Sequence, residues 1–128
     1  MSFAYIVDCV NMKYFNYYEF DSPDVQGSGQ LMDNKLLEML DLAREKYDKP
    51  ISINSGYRTE DHNAKVGGSV NSSHLKGLAV DIACTNSRDR HELLWCLQDV
   101  GFNRIGIAKT FIHVDIDPNK DKNVIWTY

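Results

Sequence analysis

The stretch Ser72-Ser73-His74-Leu75-Lys76-Gly77-Leu78-Ala79-Val80-Asp81-Ile82-Ala83-Cys84 places an imidazole in a polar loop, then a glycine that permits a sharp turn, then an apolar strand broken by one carboxylate. An unpaired charge among apolar neighbours is costly, so Asp81 needs a compensating partner. The turn at Gly77 can fold His74 back over it.

Working outward, Ser87 is expected to cap a helix whose apolar stripe is Leu93, Leu94, Leu97 and Val100 and which Gly101 stops. Ile105 to Ala108 and Phe111 to Ile116 read as a hairpin joined at Lys109-Thr110. Upstream, Asp33 is expected to cap a helix over 34–47, with Leu36, Leu37, Leu40, Ala43 and Tyr47 on one face and Lys49-Pro50 at its end. Ile51-Ser52-Ile53 alternates as a short strand, Asn54-Ser55-Gly56 turns out of it, and Thr59 caps a short helix that closes at Gly67-Gly68. Residues 1–30 carry Phe3, Tyr5, Tyr14, Phe15, Tyr17, Tyr18 and Phe20 without a period, and imply an irregular N-terminal wrap that packs on the core and is the candidate lid of any cleft. The order of elements predicts an α+β domain, helices on a small, mostly antiparallel sheet, within one domain over 1–128.

With 128 residues, 43% of them hydrophobic and 25% charged, the chain is long enough to bury roughly two thirds of its unfolded surface. Fourteen Lys and Arg against 18 Asp and Glu leave a net charge of -4, without the cationic surface that non-specific nucleic-acid binding uses. No apolar run approaches the ~20 residues of a membrane span. Met1-Ser2-Phe3-Ala4-Tyr5 lacks the charged and apolar regions of a secretory signal, so the expectation is synthesis in the cytoplasm without an export route of its own. Cys9, Cys84 and Cys96 fit neither a disulfide framework nor a metal knuckle and read as reduced thiols.

In Thr110-Phe111-Ile112-His113-Val114-Asp115-Ile116-Asp117, strand alternation puts His113, Asp115 and Asp117 on one face and Ile112, Val114 and Ile116 on the other. Two imidazoles and one carboxylate make the three-ligand set of catalytic zinc, with a fourth position for water. His74, Asp81 and His113 are therefore the expected ligands of one Zn2+.

The run S-x-H-x-x-G-x-A-x-D at Ser72, His74, Gly77, Ala79 and Asp81, with Ser55-Gly56-Tyr57-Arg58, His62-Asn63-x-x-Val66-Gly67-Gly68 and His113-Val114-Asp115, resembles the zinc D-Ala-D-Ala carboxypeptidase-like peptidases. That superfamily also holds the L-alanyl-D-glutamate endopeptidases of phage lysins and the zinc fold of hedgehog domains. The likeness runs from about residue 30 to 116 and looks closest to the small single-domain branch of bacteria and their phages.

The resemblance implies zinc on His74, Asp81 and His113, Arg58 beside the metal as a catalytic and substrate-binding group, and Ser72 bonding substrate or capping its loop. It implies a hydrolase, a carboxypeptidase or endopeptidase, cutting peptidoglycan stem peptides in cell-wall degradation, with a monomer expected. Absence of a leader fits a phage lysin, a virion component or a prophage product that meets the wall after release.

One departure stands out: where the peptidase branches carry Asp or Glu three residues before the last His ligand, this chain has Thr110. Asp115 is the nearest carboxylate, either as the base acting on water or as the partner that orients a ligand imidazole. His62 is a further base or supporting candidate, or a helix-surface residue. Loss of the acid at 110 also opens an alternative: a zinc-stabilised module without turnover that binds peptidoglycan or a protein.

Overall fold

The computed structural model describes residues 10–128; Phe3, Tyr5 and Cys9 lie outside them. Among the described residues, three α-helices, α1 (Asn34–Tyr47), α2 (Glu60–Lys65) and α3 (Ser87–Asp99), accompany five strands, β1 (Ile53–Ser55), β2 (Ala79–Ala83), β3 (Arg104–Ile107), β4 (Phe111–Asp115) and β5 (Val124–Thr127). The strands form one sheet in the order β1-β2-β4-β3-β5. All neighbours are antiparallel except β3 and β5. This is the expected α+β class.

Helix α1 begins where the Asp33 carboxylate accepts the Leu36 amide at 3.1 Å, and ends at Asp48 in the left-handed region. It buries Leu36, Leu37, Leu40 and Ala43, while α3 buries Leu93, Cys96 and Leu97. These stripes meet Val80, Ile82, Ile105, Ile112 and Val114 on one face of the sheet, and Phe15 and Phe20 from the N-terminal segment join the same core. Because side chains alternate along a strand, the residues between these apolar ones face the opposite side. That side carries Asp81, His113 and Asp115.

Three sequence expectations change, and one strand is additional to them. Strand β1 is Ile53–Ser55 rather than Ile51–Ile53, because β2 pairs Ile82 with Ile53 and Asp81 with Ser55 and so holds turn-forming residues extended. The cap of α3 is Asn86, whose side chain accepts the Asp89 amide at 2.9 Å, and Ser87 is the first helical residue. Strand β5, which has no strong alternation of its own, is held by parallel pairing with β3. Last, Asp117 lies beyond β4, in the turn that follows it.

Cys84 and Cys96 are buried free thiols, and burial raises the pKa of each. They are packing residues. No helix among the described residues is long and apolar enough to cross a membrane.

Candidate metal centre

The antiparallel register of β2 and β4 sets Asp81 directly opposite His113. His74 reaches them from a 3-10 turn, Ser73–Lys76, that ends at Gly77 with φ 70°. Only a residue tolerant of positive φ reverses the chain there without strain. Ser72 caps this turn, its hydroxyl accepting the His74 amide at 3.2 Å, and the His74 carbonyl accepts the Arg58 amide at 3.1 Å. Asp81, His74 and His113 are all buried, with one ligand atom from each lying within 4.8 Å of the others.

His74 Nε2 is 3.3 Å and His113 Nδ1 2.8 Å from Asp81 Oδ1. Zn–N and Zn–O bonds of ~2.0–2.1 Å put the ligand atoms of a tetrahedral ion ~3.3 Å apart, so the cluster has the right size. The outward nitrogens also have partners. His74 Nδ1 lies 2.7 Å from the Gly56 carbonyl oxygen and His113 Nε2 lies 2.7 Å from Asp115 Oδ2. All four ring nitrogens therefore face acceptors, whereas a neutral imidazole has one N–H. Satisfying the inward pair takes either two extra protons or one divalent cation between the three inward atoms. The donor set fits a metal of the zinc kind.

Burial alone would raise the Asp81 pKa, but hydrogen bonds from His113 and His74 outweigh it and keep the carboxyl well below the usual range. For His113, burial disfavours the charged ring, and the Asp115 and Asp81 carboxylates more than offset it, so its pKa is raised. Asp115 is likewise lowered against burial, by His113, the Arg104 guanidinium and the Asp117 amide. The cluster attracts positive charge.

Arg58 lies beside this centre. Its Nε donates to Ser55 Oγ at 3.1 Å, Nη1 to Asn63 Oδ1 at 3.2 Å and Nη2 to Asp81 Oδ2 at 3.4 Å. Asp115 lies across the His113 ring from Asp81: Oδ2 faces Nε2, while Oδ1 accepts Arg104 Nε at 2.6 Å and the Asp117 amide at 3.1 Å. Of the two roles open to it, the ring in between and its engaged oxygens match the orienting one. His62 is not among the cleft-lining residues, and Thr110 is exposed in the β3–β4 turn.

The centre opens into a cleft of ≈ 340 Å³. Its lining includes the polar Arg58, Ser72 and Lys120 and the aromatic Phe111, Trp126 and Tyr128. Sequence reasoning missed the contribution of Trp126 because β5 has no recognisable period. Among the described residues of the N-terminal wrap, 10–30, none lines this cleft, and the rest of the expected lid lies outside the described residues.

A buried carboxylate supports the floor. Asp117, with a fully buried side chain, accepts from Ser73 Oγ at 2.8 Å, Lys76 Nζ at 3.2 Å and the Asn119 amide at 3.1 Å. Burial would raise its pKa, but these donors outweigh it and lower it. A lowered folded pKa stabilises the fold above the ordinary carboxylate value and is lost as pH falls through that range. Asp117→Asn is expected to cost about 1–3 kcal/mol at pH 7. As pH falls from about 5 to about 2, melting temperature should drop less steeply in the variant than in the wild type.

Against known proteins, the family model for Peptidase M15 matches residues 13–116. The chain belongs to the peptidase M15 family. A similar protein is the zinc D-Ala-D-Ala carboxypeptidase of Streptomyces albus G, 33% identical over 84 residues, which are 59% of this chain and 32% of that protein. The chain thus spans about a third of the relative's length. His74, Asp81 and His113 of this M15 member all lie within the matched span, whereas Trp126 and Tyr128 lie beyond it.

Proposed function

We propose that the chain is a zinc-dependent peptidase that hydrolyses a peptide bond in peptidoglycan stem peptides, of the carboxypeptidase or endopeptidase type. The convergence of His74, Asp81 and His113 at the floor of an open cleft carries the reading, with the M15 membership and the carboxypeptidase activity of the Streptomyces relative in support. Its site of action on this reading is the cell wall.

His74 Nε2, Asp81 Oδ1 and His113 Nδ1 would hold the metal. Zinc supplies Lewis acidity and lowers the pKa of a coordinated water toward neutrality. Gly56 and Asp115 keep the two imidazoles in the tautomers that leave these inward nitrogens free. Arg58, anchored by Ser55, Asn63 and Asp81, presents the remainder of its donor fork to a substrate carbonyl or to the developing oxyanion. Ser72 spends its acceptor lone pair on the turn and keeps its hydroxyl hydrogen for substrate.

A second reading has one observation in its favour. Asp115 is committed to His113 and Arg104, and Thr110 offers no carboxylate, which suits a zinc-stabilised module that binds peptidoglycan without cutting it.

Metal analysis of the purified protein, paired with mass spectrometry of digested peptidoglycan, separates the two. About one zinc per chain and new stem-peptide fragments uphold the peptidase; zinc with every wall preparation intact upholds the module. Asp115→Asn isolates that residue's part. As the orienting partner its loss should weaken metal affinity 10–100-fold, while a fall in turnover at unchanged metal affinity would make it the base.

A further inference from the structure

Three strands meet in one cross-strand row: His113 on β4 pairs with Gly106 on β3, which pairs with Trp126 on β5. Paired residues project to the same face of a sheet. Gly106, with no side chain, leaves a gap in the row, and the Trp126 indole lies across it. A Cβ built on Gly106 would sit 2.6 Å from the indole Nε1. The ring reaches over to His113, with centroids 5.5 Å apart, and the Arg104 guanidinium carbon stands 5.1 Å from the indole centroid.

Trp126 therefore touches two members of the chain Arg104–Asp115–His113. It shields the His113 ring, whose side chain is 11% exposed, and lies against the arginine that donates to Asp115 at 2.6 Å. An imidazole with a carboxylate at each ring nitrogen and an indole tilted 52° against it has little freedom to rotate its metal-facing nitrogen away. Trp126 also lines the cleft, so the same ring bounds the space above the centre.

We propose that Trp126, laid over Gly106, is a positioning residue that presets His113 for metal. The inference rests on the metal-binding reading above. Without the indole, water reaches the His113 ring and its bond to Asp115, and Arg104 loses the aromatic face that keeps it in line.

The chain has two tryptophans, and Trp95 is exposed at 60% on α3. A Trp95→Phe background leaves Trp126 as the sole indole. Co2+ is the probe, with affinity measured by competition against a chromophoric chelator and His74→Ala as the control. Addition of Co2+ should quench Trp126 fluorescence and saturate at one equivalent. Trp126→Ala should bind Co2+ about tenfold more weakly, and Trp126→Phe should recover affinity to within about threefold, as an aromatic cover predicts.

Gly106→Ala tests the same contact from the other side. Its methyl displaces the indole, and it should shift the emission and weaken Co2+ binding about tenfold, with the apo melting temperature near that of the background. Wild-type Co2+ affinity in either Trp126→Ala or Gly106→Ala overturns the inference while leaving the metal centre standing. Loss of affinity matched by an unfolded apo variant in both also overturns it, since the role would then be structural. If the background protein binds no more Co2+ than His74→Ala, the metal reading fails and this inference with it.

Discussion

Asp81→Asn is expected to abolish metal binding, and with it any cleavage of stem peptides. Asp81 Oδ1 is the atom shared by both imidazoles, and its charge is the only formal negative charge in the ligand set. An amide keeps the shape but removes the charge that balances a divalent ion in a buried site. It also leaves Arg58 facing a neutral group. The consequence extends to stability, because the ligands come from a 3-10 turn and two separate strands. Zinc at 1,000 times its dissociation constant adds about 4 kcal/mol to a fold that does not bind it when unfolded. For a domain of this size that amounts to roughly 10 °C or more in melting temperature. Thermal melts with zinc and with a chelator should differ by about this much in the wild type and not at all in Asp81→Asn. Coinciding wild-type curves would remove the metal from the fold's energetics.

Gly77→Ala should be severely damaging, because it combines a backbone penalty with a steric one. Its φ of 70° is left-handed, which costs an L-residue about 1–2 kcal/mol. The new Cβ would also sit only 2.3 Å from the Leu31 carbonyl oxygen, backbone that cannot swing aside. Moving the segment to relieve the clash disturbs the bond from the Asp33 amide to the Gly77 carbonyl, at the start of α1. A total of about 3 kcal/mol or more is expected, a large share of the ~5–15 kcal/mol of a typical domain. Metal affinity should fall too, since Gly77 stands between His74 and Asp81. Gly67→Ala is the matched control: φ is 74°, but nothing lies within 4 Å of the added carbon. It should cost only about 1–2 kcal/mol. Equal losses in the two variants would show that backbone conformation, and not the contact with Leu31, sets the penalty at Gly77.

The helices at 34–47 and after Asn86 were legible because burial on one face repeats every three to four residues; the Asp33 cap was legible too, whereas the cap of the second was read one residue late. Strand β2 was legible from its apolar run, and β4 from strict alternation. The meeting of His74, Asp81 and His113 was legible for a related reason: an acid inside an apolar strand and a histidine on a strand's polar face are each costly unless something compensates them. These signals are local, written within ten residues or so.

What the sequence determined by itself is the α+β class, the apolar faces, and the three residues able to share a cation. Tertiary structure decided the rest. Asp115 is two residues from His113 along the chain, and spacing alone left it on the metal side or behind the ring; in the fold Asp81 faces Nδ1 of that ring and Asp115, held by Arg104, faces Nε2. The β1 boundaries followed from what β2 offered to pair with. Strand β5 and the Trp126 contact depended on parallel pairing to β3 and on the empty side of Gly106. Such features are relations between segments distant in sequence. They have no period to read, because their energies arise only once the segments meet.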